Sequence, residues 1–523
     1  MTRQDIWTRI PQEPWDMIII GGGITGAGVA REAVRRGLKV LLIEQQDYSW
    51  GTSSRSSKMV HGGLRYIAQG DIKLTWHSLT ERERLLREAP GLVDRMGYFF
   101  AHYQGKFPGR WPFSFLVMVY DFLAGIRDYS FIKRDAFLKR MPGYRDTDLK
   151  GASRYTDALT DDSRLVLRVL DEAKQGGAVA INYVKATDLI MKNDLVKGLR
   201  LQNVETGETV DAHAEVVINA TGAWADRLRC KLVDEARVRP LRGSHIVIPH
   251  ERLPISEATI FMHAEDKRPL FIYPWEGRTV IGTTDLDHKD DLDIEAAMNQ
   301  TELDYMLRGA NGEFPQANIT AADVIASFSG VRPVVSSGNA LNPSQERRDH
   351  VVWDNQGLVT VTGGKLTTFR LIALDTLKAA ANYLPKLQVR DTRAPIFSPH
   401  SVPVCSLTRE EQKRLAGRYG FLTARFLREM PGEELRPVST AVGTLWAELR
   451  WAMRYEQVQH LDDLLLRRTR LGLLLPDGGT ELLPRLALVA AAELGWNEAR
   501  FSEEVARYRD TWRRFYSLPG AAA

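Results

Sequence analysis

Three glycines spaced Gly21-x-Gly23-x-x-Gly26 follow directly on the apolar run Asp16-Met-Ile-Ile-Ile20 and lead into the stretch Ala27–Arg36. The run has the pattern of a buried strand, and the stretch after it has helical spacing that Gly37 closes as a C-cap. Lys39-Val-Leu-Leu-Ile43 is a second buried strand, with Glu44 at its carboxyl end. A strand–helix–strand unit of about 30 residues built on this turn constrains the chain to an α/β, Rossmann-like fold. Gly21 permits the tight turn, Gly23 lets a pyrophosphate approach the backbone, and Gly26 allows close packing of helix on strand. The helix N-terminus offers N–H donors and partial positive charge to phosphates. Glu44 stands where it can accept hydrogen bonds from ribose hydroxyls. A merely structural turn leaves the strand, the helix and the acid as coincidences, whereas dinucleotide binding explains all of them.

A chain of 523 residues is too long for one core, so two or three domains are expected. A net charge of +4 gives no sign of a nucleic-acid partner, and a pI near 8.8 is compatible with an anionic substrate or membrane surface. With only Cys230 and Cys405, a four-cysteine metal or iron–sulfur site is excluded, no metal is expected, and a reducing, cytoplasmic setting is favoured. Met1–Pro14 lacks the apolar core of a signal peptide. No run reaches the roughly 18–20 apolar residues of a spanning helix. The longest apolar stretch, Trp111 to Leu123, reads as a buried helix in preference to an interfacial one.

Further along, Asp71–Glu88 and Asp161–Lys174 have helical patterns, and Ala178–Asn182 and Glu215–Asn219 are strands. Leu189–Val210 reads as a hairpin with turn signals at Lys192-Asn-Asp and Glu205-Thr-Gly, and Ser244–Thr284 as antiparallel sheet. Gly357–Thr362 is a last strand, followed by Gly363-Gly364 and a helix through Ala380. Ala394–Pro403 is a linker, and the chain beyond it is helical to about Tyr516. The glycine turn alone does not distinguish FAD from NAD, because both share the adenosine-pyrophosphate half. Two later segments favour FAD: Asn219-Ala-Thr-Gly222-Ala-Trp resembles a second flavoprotein motif, and Val361-Thr-Gly363-Gly364-Lys365 a late glycine turn over the isoalloxazine. In Thr52-Ser-Ser-Arg55-Ser-Ser57-Lys58-Met-Val-His61-Gly62-Gly63-Leu-Arg65-Tyr66, short hydroxyls can bond ribityl and phosphate oxygens while glycines keep the backbone near a flat ring.

Ser56-Ser-Lys-Met-Val-His-Gly-Gly-Leu-Arg-Tyr66 resembles the signature of the respiratory, FAD-dependent glycerol-3-phosphate dehydrogenase family. Asp161–Leu167, Gly243–Val247, Ile281–Asp285, Ser329–Pro333 and Gly363–Thr368 are similar to further family stretches, and Leu466–Gly472 to its helical cap. The resemblance implies an FAD-binding domain (about 14–95, 151–240 and 328–393) interleaved with an antiparallel-sheet substrate domain (about 96–150 and 241–327). A C-terminal all-helical cap spans 396–523. It also implies cofactor contacts from Gly21, Gly23, Gly26, Glu44, Thr52, Ser53, Ser57, Lys58, Val184, Thr221, Gly222, Gly364, Leu366 and Thr367. Arg65, Arg332, Lys365 and His245 match the substrate-binding positions, and guanidinium forks with an ammonium suit a phosphomonoester dianion. Taken singly, Arg65 and Arg332 could be structural ion pairs and His245 a core histidine.

The implied reaction is oxidation of sn-glycerol 3-phosphate to dihydroxyacetone phosphate, with hydride transfer to FAD. His245 is the first candidate base and His61 the second, with Arg65 and Arg332 stabilising alkoxide character. A quinone at the inner face of the cytoplasmic membrane is the implied acceptor, with peripheral attachment and a possible homodimer. Oxygen, as in glycerophosphate oxidases, is the competing acceptor. An amine or amino-acid oxidase and a non-catalytic FAD-binding subunit are the rival readings.

Overall fold

The computed structural model describes residues 2–68, 70–336 and 349–520, apart from the side chains of Arg65 and Ala68. Among these residues, eight strands form one sheet in which Trp15–Ile20 is central. It pairs in parallel with Val40–Ile43 on one side and Thr209–Asn219 on the other, so that Met17 lies opposite both Val40 and Val216. Met17, Ile18 and Ile19 are fully buried. A parallel strand covered on both faces has no solvent side, which is why it reads as a continuous apolar run. The helix Ile24–Val34 covers one face together with Asp162–Gln175 and Phe369–Ala380. It begins three residues earlier than its periodicity predicts, because extended Gly23 already serves as the N-cap. Val184–Lys192 and Leu195–Asn203 form the expected hairpin, turning through Asn193 and Asp194 at φ 52° and 61°.

A second sheet of ten strands is mostly antiparallel. Val238–Pro249 is its hub, flanked by Arg278–Gly282 and Ala326–Val335. Two sequence-based boundaries shift here. Leu149–Thr160 pairs along its whole length with Val93–Tyr103 in this second sheet, although residues from 151 were expected in the nucleotide half. Ala326–Val335 also belongs to it, so the boundary placed at 327/328 falls inside a strand. Strands that cross from one half to the other carry no mark of the crossing in their own residues.

The C-terminal region contains helices such as Trp446–Tyr455, Leu483–Leu494 and Glu498–Phe515, but it is not wholly helical. Pro437–Ser439 pairs with Val442–Leu445 as a short hairpin. Its Leu464, Leu471 and Leu486 share one buried cluster with Tyr98, Tyr155 and Tyr273 of the second sheet. Buried ion pairs pin it beside the first sheet: Arg467 and Arg468 on Asp47, and Arg418 on Asp161 and Glu456 on Arg164 at the start of the helix Asp162–Gln175.

The apolar stretch 111–123 lies in the helix Arg110–Ala124, and the expectation that it is buried is corrected in part. Phe113, Val117 and Tyr120 are buried, whereas Trp111, Phe115, Met118 and Phe122 are exposed. A helix apolar all round can still leave one face in solvent, and composition does not show which.

Candidate active site

Two cavities adjoin, one at the carboxyl ends of the parallel strands and one against the second sheet. The first, of about 380 Å³, is lined by Gly21, Gly23, Glu44, Thr52, Ser53, Val184, Thr221, Gly222, Gly364 and Leu366. These residues come from six separate segments, all predicted from the sequence as cofactor contacts. Gly21 has φ +115°, and a Cβ there would lie 2.5 Å from the carbonyl oxygen of Ala220. Gly26 lies just below the wall, where a Cβ would come within 1.9 Å of the Gly21 oxygen. The bare backbone is therefore a steric requirement of the turn. Gly23 has no side chain with which to cap the helix from Ile24, and of the helix's first N–H groups that of Ile24 donates to Ser53 Oγ at 3.0 Å. The N-terminal dipole thus faces the cavity, as a pyrophosphate needs.

Glu44 accepts from the Gly22 N–H at 2.7 Å and from the Gln46 N–H at 2.8 Å, one on each carboxylate oxygen. Burial pushes its carboxyl up while these backbone bonds hold it down. Each oxygen keeps a lone pair for a ribose hydroxyl. Trp224 lines the same cavity, and its buried Nε1 has no hydrogen-bond partner among the described residues. An FAD fits this cradle: glycine backbone at the pyrophosphate, an acid at the ribose, and spare donors along the wall.

The second cavity, of about 690 Å³, meets the first at Thr52, Ser56, Gly364, Lys365 and Leu366. Its wall includes Ser57, His61, Tyr66, Arg268, Asp285, Arg332, Lys365 and Thr367. Arg332 donates through Nη1 to Asp285 Oδ1 at 2.9 Å and through Nη2 to Thr283 Oγ1 at 3.2 Å. Lys365 Nζ is 3.1 Å from Ser78 Oγ and 3.7 Å from the centre of the Tyr66 ring. His61 exchanges backbone hydrogen bonds with the Thr367 hydroxyl, which ties the early loop to the late glycine turn. Arg268, with Nη2 2.9 Å from Asp285, escaped the sequence reading. It stands in Glu265-Asp-Lys-Arg268, which looks like any charged surface turn. Asp285 lay within a quoted motif without a role; it is the carboxylate that holds both guanidiniums.

Other assignments change. Lys58 reaches neither cavity. Its ammonium is buried against Asp162 at 2.9 Å and the Ser54 carbonyl at 2.8 Å. Burial and nearby Arg470 lower its pKa to about 7 against the pull of Asp162. Its place is inside the cofactor loop as a brace, and the sequence does not reveal that its φ of +60° turns it inward. His245 is withdrawn as a direct contact of the substrate: it is buried behind Ser57 and forms no part of either wall. Burial, with Lys58 and Arg332 nearby, holds the imidazole well below its usual pKa and so neutral. Arg65 is on the short helix Leu64–Ala68 at the cavity's edge, and its side chain lies outside the described residues.

Residues 16–370 match the family model for FAD dependent oxidoreductases, and residues 377–501 match that for the C-terminal domain of alpha-glycerophosphate oxidase. The chain is 33% identical to glycerol-3-phosphate dehydrogenase 2 of Mycobacterium bovis, over 96% of this chain and 88% of that protein. It is 31% identical to the aerobic glycerol-3-phosphate dehydrogenase of Staphylococcus haemolyticus, over 90% and 89%. The structure superimposes with a TM-score of 0.77 on the glycerol-3-phosphate dehydrogenase of Bacillus halodurans complexed with FAD, at 26% identity and covering 98% and 97% of the two chains. The fold, though not the sequence, is also that of a Mycoplasma pneumoniae L-alpha-glycerophosphate oxidase, with a TM-score of 0.57 at 17% identity over 70% and 95%.

Proposed function

Because the chain belongs to the FAD-dependent glycerol-3-phosphate dehydrogenase family, we propose that it oxidises sn-glycerol 3-phosphate to dihydroxyacetone phosphate and passes the electrons to a quinone. The observation that carries the substrate is the charge of the larger cavity. Arg268, Arg332 and Lys365 with Asp285 leave two positive charges beside the cofactor cradle, matching a phosphate dianion. An amino-acid carboxylate needs one guanidinium, so a second arginine and a lysine favour the phosphate. FAD supplies the hydride acceptor when bound. Lys365, on the wall common to both cavities, draws the substrate to the cofactor end, while Arg332, fixed by Asp285 and Thr283, fixes the phosphate. The same cations stabilise alkoxide character at the reacting hydroxyl.

The quinone reading is supported by the cavity's other wall. Phe107, Pro108, Phe113, Phe115 and Leu116 line it, and Phe115 also belongs to the exposed face with Trp111, Met118 and Phe122. Ile72 and Trp76 are exposed on the helix Ile72–Glu88, which packs against this one. An apolar path thus joins the cofactor to an apolar outer face suited to lie in the inner surface of the cytoplasmic membrane. Among the described residues no helix is long and apolar enough to cross a membrane. The test is reoxidation: substrate-reduced enzyme mixed anaerobically with a short-chain ubiquinone should regain its flavin colour within a turnover time. Slow reoxidation by quinone and fast reoxidation by oxygen would make it an oxidase.

A further inference from the structure

His245 stands in the middle of the second sheet, register partner of Gly282 on one neighbouring strand and of Phe328 on the other. Its ring stacks on Phe328, with centroids 4.6 Å apart and planes 7° from parallel. A Cβ on Gly282 would lie 2.2 Å from its Cδ2, so the bare backbone of that strand closes another side. The ring is 1% exposed and cannot swing into the cavity without displacing a strand. Its Nδ1 is buried with no hydrogen-bond partner among the described residues, while Nε2 is 2.9 Å from Ser57 Oγ. Ser57, unlike His245, forms part of the cavity wall together with Arg332 and Lys365. Ser57 Oγ thus stands on the cavity wall within hydrogen-bond distance of an imidazole that lies behind it.

We propose that Ser57 is a catalytic residue that relays the substrate's hydroxyl proton to His245, an inference that rests on the secondary-alcohol oxidation above. With Nδ1 carrying the ring proton, Nε2 presents a lone pair to the Ser57 hydroxyl. The C2 hydroxyl O–H bond of the substrate breaks as a new O–H bond forms at Ser57 Oγ. The original Ser57 O–H bond breaks as an N–H bond forms at Nε2. The C2–H bond breaks with its electron pair leaving to the cofactor, and a ketone, a neutral serine and an imidazolium result. A hydroxyl can do this because it is donor and acceptor at once. Burial opposes the imidazolium most, and to it is added the positive field of Lys58, already paired with Asp162, and of Arg332. A phosphate dianion arriving at Arg332 weakens that field at the moment the proton moves.

The test uses the holoenzyme, reduced anaerobically by glycerol 3-phosphate in a stopped-flow spectrometer. Ser57→Ala should slow flavin reduction by about 10²-fold or more while the substrate concentration at half-saturation stays within about threefold. His245→Gln should do the same, and the double variant should be no slower than the worse single one, as for residues acting as one unit. Ser57→Thr, which keeps a hydroxyl, should recover most of the rate. In the wild type, the reduction rate across mixtures of H₂O and D₂O should bend, because two protons move together. A straight line, a native rate in Ser57→Ala, or additive losses in the double variant overturns the relay while leaving the substrate assignment standing. If Ser57→Ala emerges without flavin, the wild-type mixture experiment decides alone. Absence of any reduction by glycerol 3-phosphate overturns the substrate reading and the relay with it.

Discussion

Replacing Arg332 by alanine separates substrate recognition from folding. The guanidinium lies 2.9 Å from Asp285 and 3.2 Å from Thr283, on the wall of the larger cavity and off that of the smaller one. Its removal costs the phosphate one or two charge-assisted hydrogen bonds at about 1.5–3 kcal/mol each. A loss of about 3 kcal/mol corresponds to about 150-fold in kcat/KM. Asp285, nearly buried, keeps Arg268 at 2.9 Å, so no uncompensated charge is left behind and the fold should hold. The FAD content should match the wild type, because the cradle is untouched. The assay is dye-coupled turnover of glycerol 3-phosphate and of glycerol. The variant should lose its preference for the phosphorylated substrate while its weak rate on glycerol stays level. An unchanged kcat/KM for glycerol 3-phosphate, or an equal fall for glycerol, would refute the phosphate role.

Gly26→Ala places a Cβ 1.9 Å from the Gly21 oxygen, so the purified protein should be colourless and unable to take up added FAD; a yellow variant would contradict the packing. Arg468→Ala strips Asp47 of bonds at 2.6 and 2.7 Å in a buried site where burial opposes, and Arg468 and Arg467 enforce, a carboxyl pKa of about 2. Arg467 stays on Asp47 at 2.6 Å, so the expected cost is about 1.5–3 kcal/mol in stability, read by thermal melting, with weaker FAD retention. Burial opposes the charge on His460, yet Glu205 and Glu504 raise its pKa to about 9. Being raised on folding, this group contributes fully below about pH 6.5 and its contribution, about 3 kcal/mol at most, fades as pH rises through 9. The melting temperature of His460→Gln should therefore fall less than that of the wild type between pH 6.5 and 9.5; parallel curves would count against the ion triad. Trp111→Ser with Phe122→Ser should reduce flotation with anionic lipid vesicles while leaving dye-coupled activity intact, and undiminished flotation would place the lipid face elsewhere.

The nucleotide cradle was legible in the sequence because its physics is local. Gly21, Gly23 and Gly26 act within one turn, and Ile18 and Ile19 are buried on opposite faces of one strand, as are Leu41 and Leu42 of the next, so spacing and hydropathy carry the information. Arg332 and Lys365 were legible through resemblance, since each lies in a glycine-containing segment fixed against a ligand. What failed was direction. Lys58 has the right type in the right loop, but a left-handed backbone turns it onto Asp162. His245 is one of a strand's inward-facing residues, and only its register with Gly282 and Phe328 reveals that Ser57 stands in front of it. Arg268 acts through Asp285, 17 residues away in another loop, and nothing near it in sequence marks that contact. The helix 110–124 has apolar residues on every side, so its exposed face was set by the surrounding fold and not by its own pattern.

The central claim, a flavin reduced by a phosphorylated secondary alcohol, is tested most directly by anaerobic titration of the yellow holoenzyme. Glycerol 3-phosphate should bleach the flavin's visible absorbance, with one dihydroxyacetone phosphate formed per flavin reduced, while glycerol at the same concentration bleaches it only slowly and amino acids leave the colour unchanged. Bleaching by an amino acid, or by none of these compounds, would contradict the account.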